Sequence, residues 1–254
     1  MQLIRYQKGD EVHYGYLDGD AVGMIEGDVF GPFLRGPRVA LLSDVKLLAP
    51  CQPSKIIGLV SNFVDRSRER GEASPEVPLF FLKPPSTVIG PEEAIQLPPQ
   101  SQRVEYGAEL AVVIGKRARW VTLEEANQYI LGYTCANDVT ARDVWEQESG
   151  WARGKCFDTF CPLGPCIVTG LDPADLRVTS VVNEGTRQMN STRDMVFSMA
   201  QLVAFLSSVM TLMPGDVLLT GTPSGTGILA AGDVVEVEIE GIGKLRNPVE
   251  VEEH

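Results

Sequence analysis

Histidine is almost missing from this chain. Of 254 residues only His13 and His254 are histidine, the first in a stretch that reads as a hairpin and the second at the C-terminal end. Serine–histidine–acid triads, histidine zinc sites and histidine general bases are thereby excluded as the chemistry. Cysteine is also sparse. The five (Cys51, Cys135, Cys156, Cys161, Cys166) are an odd number with no Cys-x-x-Cys pair, which excludes a disulfide framework and a zinc finger and reads as reduced, buried small hydrophobes. Long apolar runs are absent. The longest, Phe197 to Leu212, is interrupted by Ser198, Gln201, Ser207 and Ser208, so a membrane partner is not expected. Positive charge is in deficit, with 22 Lys and Arg against 34 Asp and Glu and a net charge of -12; a nucleic-acid backbone is therefore not an expected partner. Met1-Gln2-Leu3-Ile4-Arg5 runs straight into a charged, turn-rich segment, and the expectation is a cytoplasmic protein without a leader.

What is present is a chain 44% hydrophobic, enough for one large domain, or one large and one small. The stretch that organises it is Glu105-Tyr106-Gly107-Ala108-Glu109-Leu110-Ala111-Val112-Val113-Ile114-Gly115. Polar and small residues give way to an unbroken apolar run closed by glycine, which reads as a strand whose second half is buried. Period two puts Glu105, Gly107 and Glu109 on one face. A carboxylate at the mouth of a buried strand needs a partner. Together with Asp138, at the end of Gly132-Tyr133-Thr134-Cys135-Ala136-Asn137-Asp138, these acids suit a divalent cation that prefers oxygen; surface or ion-paired acids are the alternative.

Around this centre, residues 1–50 read as a small N-terminal β subdomain, with Asp-Gly hairpin signals at Asp18-Gly19. The boundary falls near Pro50-Cys51-Gln52-Pro53, leaving 51–254 as the main domain. Lys55 to Val60 reads as a buried strand and Ser61 to Gly71 as a short, mobile charged helix. Thr122 to Ile130 carries a helix signature, with Thr122 as cap and Glu125 as its capping-box partner. Trp145 to Trp151 reads as a loop or broken helix, and Asp194 to Leu212 as an amphipathic helix. Lys155, between Gly154 and an apolar Cys-Phe pair, reads as a partly buried lysine able to act as acid, base or clamp. Gly221-Thr222-Pro223-Ser224-Gly225-Thr226-Gly227 follows a buried strand and lacks the lysine of a phosphate loop. Strands outnumber helices, so the fold class is a β-rich α+β body.

Several stretches, in order, resemble the fumarylacetoacetate hydrolase family. They are Lys55-Ile56-Ile57, Phe81-Leu82-Lys83-Pro84, Glu109 to Gly115, Gly132-Tyr133-Thr134 with Asn137-Asp138-Val139-Thr140-Ala141-Arg142-Asp143, Gly154-Lys155 with Asp158 to Pro165, and Pro214-Gly215-Asp216 with Thr220-Gly221-Thr222-Pro223. The resemblance implies a mixed β-roll catalytic domain, a homodimer, and magnesium or manganese held by carboxylates. It implies action on small 2-oxo or 2-hydroxydienoic acids through a metal-stabilised enolate, in the catabolism of aromatic compounds. By the same resemblance Glu109, Asp138 and Glu105 are the metal candidates, and Lys155 adds positive charge where negative charge develops. Thr222, Gly221 and Arg142 bind substrate, Arg142 in one version by orienting Asp138. Two departures stand out. The partner of Glu109 in the family's Glu-x-Glu pair is here Gly107, so Glu105 replaces it only if the strand bulges. In the lid, Arg66 stands where hydrolytic members have a water-activating histidine, while Glu69 keeps the acid position. Trp145 stands where many relatives have a substrate-binding glutamine. Arg66 cannot act as a base at neutral pH, which points to an isomerase or decarboxylase with Arg66 anchoring a second carboxylate. The alternatives are a carbon–carbon hydrolase relying on Glu69, and a metal-poor binding protein without catalysis.

Overall fold

The strand Ala108–Ile114 is buried at every position because it lies deep within a sheet, with Ile130–Asn137 on one side and Val217–Leu219 on the other. A strand covered on both faces needs no polar alternation, and this one has none after Glu109. The computed structural model describes residues 1–148 and 152–252. Its largest sheet has 12 strands. From one edge the path runs Phe33–Leu41, Ala21–Gly27, Glu11–Asp18, Gln2–Lys8, Cys161–Val168, Ile130–Asn137, Ala108–Ile114, Val217–Leu219, Ile56–Val60 and Leu79–Lys83, with Lys46–Leu48 and Val88–Ile89 as side branches. A five-stranded sheet orders Gly185–Ser191, Arg177–Val182, Val234–Ile239, Gly243–Val251 and Ile95–Leu97. A two-stranded piece pairs Val104–Glu105 with Thr140–Ala141. The fold is a β-rich α+β class.

The N-terminal hairpins join the large sheet directly, with Leu3 opposite Ile167 and Gln2 opposite Val168. Residues 1–50 thus extend the sheet that carries the site. Among the described residues no helix is long and apolar enough to cross a membrane.

Three local expectations are corrected. The segment Thr122–Ile130 is not an α-helix: only Ala126–Tyr129 coils, as a 3-10 turn, and Thr122 Oγ1 meets the Glu125 carboxylate rather than a backbone amide. The helix anticipated over Asp194–Leu212 is the shorter Met199–Val209, started by a Ser198 and Gln201 capping box. Its flanks are claimed by tertiary pairing, Met195 with Phe63 and Leu212 with Ala118, and pairing outweighs weak helix propensity. The strand expected from Glu105 to Gly115 is broken at Tyr106 and Gly107, between Val104–Glu105 and Ala108–Ile114. The Asn137 side chain accepts from the Gly107 amide at 2.9 Å, and the chain changes sheets there. A helix does form over Arg142–Gln147; the end of the Trp145–Trp151 segment, residues 149–151, lies outside the described residues, as does His254. Cys51, Cys135, Cys161 and Cys166 are buried, Cys156 is half-buried, and all are free thiols.

Candidate active site

The break at Gly107 and the end of Ile130–Asn137 open a cleft whose floor is ionic. Asp138, 6% exposed, lies between two buried lysines. Lys83 Nζ donates to Asp138 Oδ1 at 2.7 Å and to the Val139 carbonyl at 2.9 Å. Lys155 Nζ donates to Asp138 Oδ2 and, at 2.7 Å, to Thr140 Oγ1, and stands 4.3 Å from the Phe81 ring centre. Burial pushes the Asp138 carboxyl up, but the charges of Lys155 and Lys83 and their hydrogen bonds outweigh it and hold the group below its ordinary value. Burial pulls the Lys155 ammonium down, opposed by Asp138 and reinforced by Lys83. Glu109, 1% exposed, is pushed well above the usual carboxylate range by burial and then by the charge of Asp138. Two lysines thus flank one aspartate beside a glutamate whose pKa is raised.

One wall is the glycine-rich loop. The Gly221 amide donates to Glu109 Oε2 at 2.7 Å. Its φ of +95° and the 3.0 Å from an added Cβ to Asn62 Cβ explain why glycine is there. Thr222 Oγ1 donates to the Ala108 carbonyl at 3.0 Å and accepts from Gln188 Nε2 at 2.8 Å. Both are therefore committed to building the wall. Asn62, 1% exposed, donates to the Thr220 carbonyl and accepts from the Phe197 amide, fixing the start of the lid.

The lid is the short helix Val64–Glu69. Asp65 accepts from the Ser224 amide and hydroxyl at 3.1 and 2.7 Å, and Glu69 accepts from the Gly225 amide at 3.1 Å and from Arg66. The helix is thus latched to the glycine-rich loop by its acids. Arg66 lines the cleft, whereas Glu69 is not among its described lining residues. Arg142 also lines it, but pairs with Glu146 at 2.9 Å; no bond to Asp138 is present among the described residues, which corrects the version in which Arg142 orients that acid.

Glu105 lines the same cleft, yet its carboxylate accepts from Arg103 at 2.8 and 2.7 Å, because the chain has left the large sheet before it. Among the described residues no three His, Cys, Asp or Glu side chains come together as a metal-binding group, so Glu105 does not complete a three-carboxylate set. Glu109 and Asp138 do fit a divalent cation as a pair. They are hard oxygen donors whose mutual repulsion raises the Glu109 pKa, and a cation relieves that repulsion. Magnesium is commonly held by one or two carboxylates plus substrate oxygens. Such an ion would share Asp138 with two ammonium groups.

Sequence reasoning missed the roles of Lys83, Gln188 and Asn62. For Lys83 a signal existed: Phe81 and Lys83 are two apart on one strand, so an inward Phe81 carries Lys83 inward with it.

The β-rich fold thus frames a cleft with a buried lysine–aspartate–lysine floor, Glu109 beside it and an arginine-bearing lid. The family model for the C-terminal domain of fumarylacetoacetate hydrolase matches residues 55–250, and an Rv2993c-like N-terminal model matches residues 1–50. A crystal structure of 5-carboxymethyl-2-hydroxymuconate delta-isomerase from Mycobacterium smegmatis is 42% identical, covers 99% of this chain and 100% of its own, and superposes with a TM-score of 0.94. Oxaloacetate tautomerase Fahd2a of Rattus norvegicus is 37% identical over 98% of this chain and 91% of its own length. Maleylpyruvate hydrolase from Sphingobium sp. SYK-6, solved with manganese(II) and pyruvate, is 30% identical over the full length of both chains, with a TM-score of 0.81. The chain belongs to the fumarylacetoacetate hydrolase family, and its relatives include isomerases, a tautomerase and hydrolases.

Proposed function

We propose that this protein moves a proton at the carbon beside the carbonyl of a small 2-oxo dicarboxylic acid, as a keto–enol tautomerase or as an isomerase of the corresponding 2-hydroxydienoate. In the keto-to-enol direction a proton leaves C3, its electron pair becomes the C2=C3 bond, and the 2-oxygen gains a proton. The observation that carries the reading is the buried floor on which Lys155 and Lys83 flank Asp138 beside Glu109. Lys155 is the positioned cation for the developing oxyanion, and buried donors of this kind act most strongly where water is excluded. Burial and the charge of Asp138 raise the Glu109 pKa, and a cation bound there would bring it down again. Magnesium or manganese bound by Glu109 and Asp138 would supply a Lewis acid to the 2-oxo group. Arg66 would anchor the second carboxylate, while Thr222 and Gly221 shape the wall against which the first one lies.

Hydrolysis of a carbon–carbon bond is less well served. It needs a base for water, and Glu69 spends its oxygens on the Gly225 amide and Arg66. Decarboxylation uses the same enolate with carbon dioxide leaving in place of the proton, and is the secondary reading. The test follows the ultraviolet absorbance of oxaloacetate enol as it ketonises, with magnesium or manganese added. Acceleration over buffer, falling about 10²–10³-fold in Lys155→Met, is expected. No acceleration with either metal would overturn the reading.

A further inference from the structure

Three guanidinium groups gather at the cleft, from Arg66, Arg70 and Arg142. Their side chains are only 14%, 21% and 15% exposed. Among the described residues each has an acidic partner, Glu69, Glu72 and Glu146 respectively. Two of them are organised by one ring. The Arg142 guanidinium lies 4.1 Å and that of Arg70 lies 5.5 Å from the Trp145 ring centre. Trp145 therefore holds an arginine from the end of the lid helix beside one from the Arg142–Gln147 helix. Burial followed by the charge of Arg70 pushes the Arg142 guanidinium down, so the two cations feel each other. A guanidinium carries five N–H donors in a rigid fork, more than one carboxylate partner uses. Adjacent forks with donors to spare, set over an aromatic plate in a cleft, match a planar carboxylate.

We propose that Arg70, held against Trp145 and acting with Arg142, joins Arg66 at the far carboxylate of a dicarboxylic substrate and is the residue that determines the preference for it. This rests on the functional reading above, in which Lys155 takes the 2-oxo end. Arg70 touches the substrate's distal group and takes no part in proton transfer. The recognised class is a 2-oxo acid with a second carboxylate, in preference to the monocarboxylate of similar length.

The test compares calorimetric titrations of 2-oxoglutarate and 2-oxobutyrate into the intact protein with magnesium present, for the wild type, Arg70→Met, Arg70→Lys and Trp145→Leu. The wild type should favour 2-oxoglutarate. Arg70→Met should weaken 2-oxoglutarate about tenfold or more, the loss of one charge-assisted pair, and leave 2-oxobutyrate within about twofold. Arg70→Lys should recover part of the preference and Trp145→Leu should erode it. Equal weakening of both acids, an unchanged preference in Arg70→Met, or a wild type without preference would overturn the inference. Deuterium exchange at C3, run alongside, separates the two readings. A wild type that discriminates without exchanging protons keeps the subsite and defeats the tautomerase; one that exchanges while Arg70→Met alters no preference does the reverse.

Discussion

Replacing Asp138 by asparagine removes the carboxylate that separates Lys83 from Lys155 and leaves two buried ammoniums facing each other. Lys83 is 1% exposed and Lys155 7%, so water cannot take over. Breaking a buried pair from one side costs about 3–5 kcal/mol, a large part of the ~5–15 kcal/mol that keeps a domain folded. One effect works the other way. The Asp138 charge is a cause of the raised Glu109 pKa, so its removal lets Glu109 ionise more easily beside Lys155, and the net loss belongs at the lower end, about 3 kcal/mol. The sign with pH follows from the direction of the shift. Asp138 lies below its ordinary 3.8 in the folded protein, so its contribution is complete above that value and is lost as pH falls through the lower, folded-state pKa. Urea denaturation of wild type and Asp138→Asn should therefore show the full gap near neutral pH and a narrowing one below about pH 4. Adding Lys83→Met to Asp138→Asn should restore part of the loss. A gap under about 1 kcal/mol at neutral pH would refute the reasoning, because a loss that small is typical of a solvent-screened surface pair.

Other outcomes can be checked separately. Gly221→Ala places a Cβ 3.0 Å from Asn62 Cβ at a φ of +95°, and should cost about 1–3 kcal/mol in thermal unfolding. Leu110→Ala, at a position with no exposure, should cost about 2–5 kcal/mol in the same assay. Burial pushes the Cys51 and Cys161 thiols up to about 12, so alkylation of the native protein near pH 8 should mark Cys156 first, with the other four labelled only after unfolding; peptide mass mapping reads the order.

How much of this was legible beforehand depends on whether a contact is local. The apolar run from Leu110 to Ile114 announces a buried strand by itself, and the ordered motifs single out Glu109, Asp138 and Lys155. The face that period two gives Glu105 and Glu109 presumes an unbroken strand, while the strand breaks at Gly107, whose amide donates to Asn137, 30 residues away. The helix expected from Thr122 has its cap residue, but lacks what holds a short helix, an amphipathic face with a partner. The strand pattern turns Lys83 inward with Phe81, but its reach to Asp138, 55 residues away in sequence, is a property of the fold. Arg70 closes the lid helix and Trp145 lies within the Arg142–Gln147 helix, and nothing in the spacing of their side chains announces that they meet.

The most direct test of the central claim is proton exchange at C3 of 2-oxoglutarate in deuterium oxide, followed by proton nuclear magnetic resonance with magnesium or manganese present. The account predicts that the protein speeds loss of the C3 signal well beyond buffer and metal alone, that Lys155→Met largely abolishes the effect, and that the carbon skeleton stays whole. Exchange no faster than the control, or cleavage of a carbon–carbon bond as the main event, would contradict it.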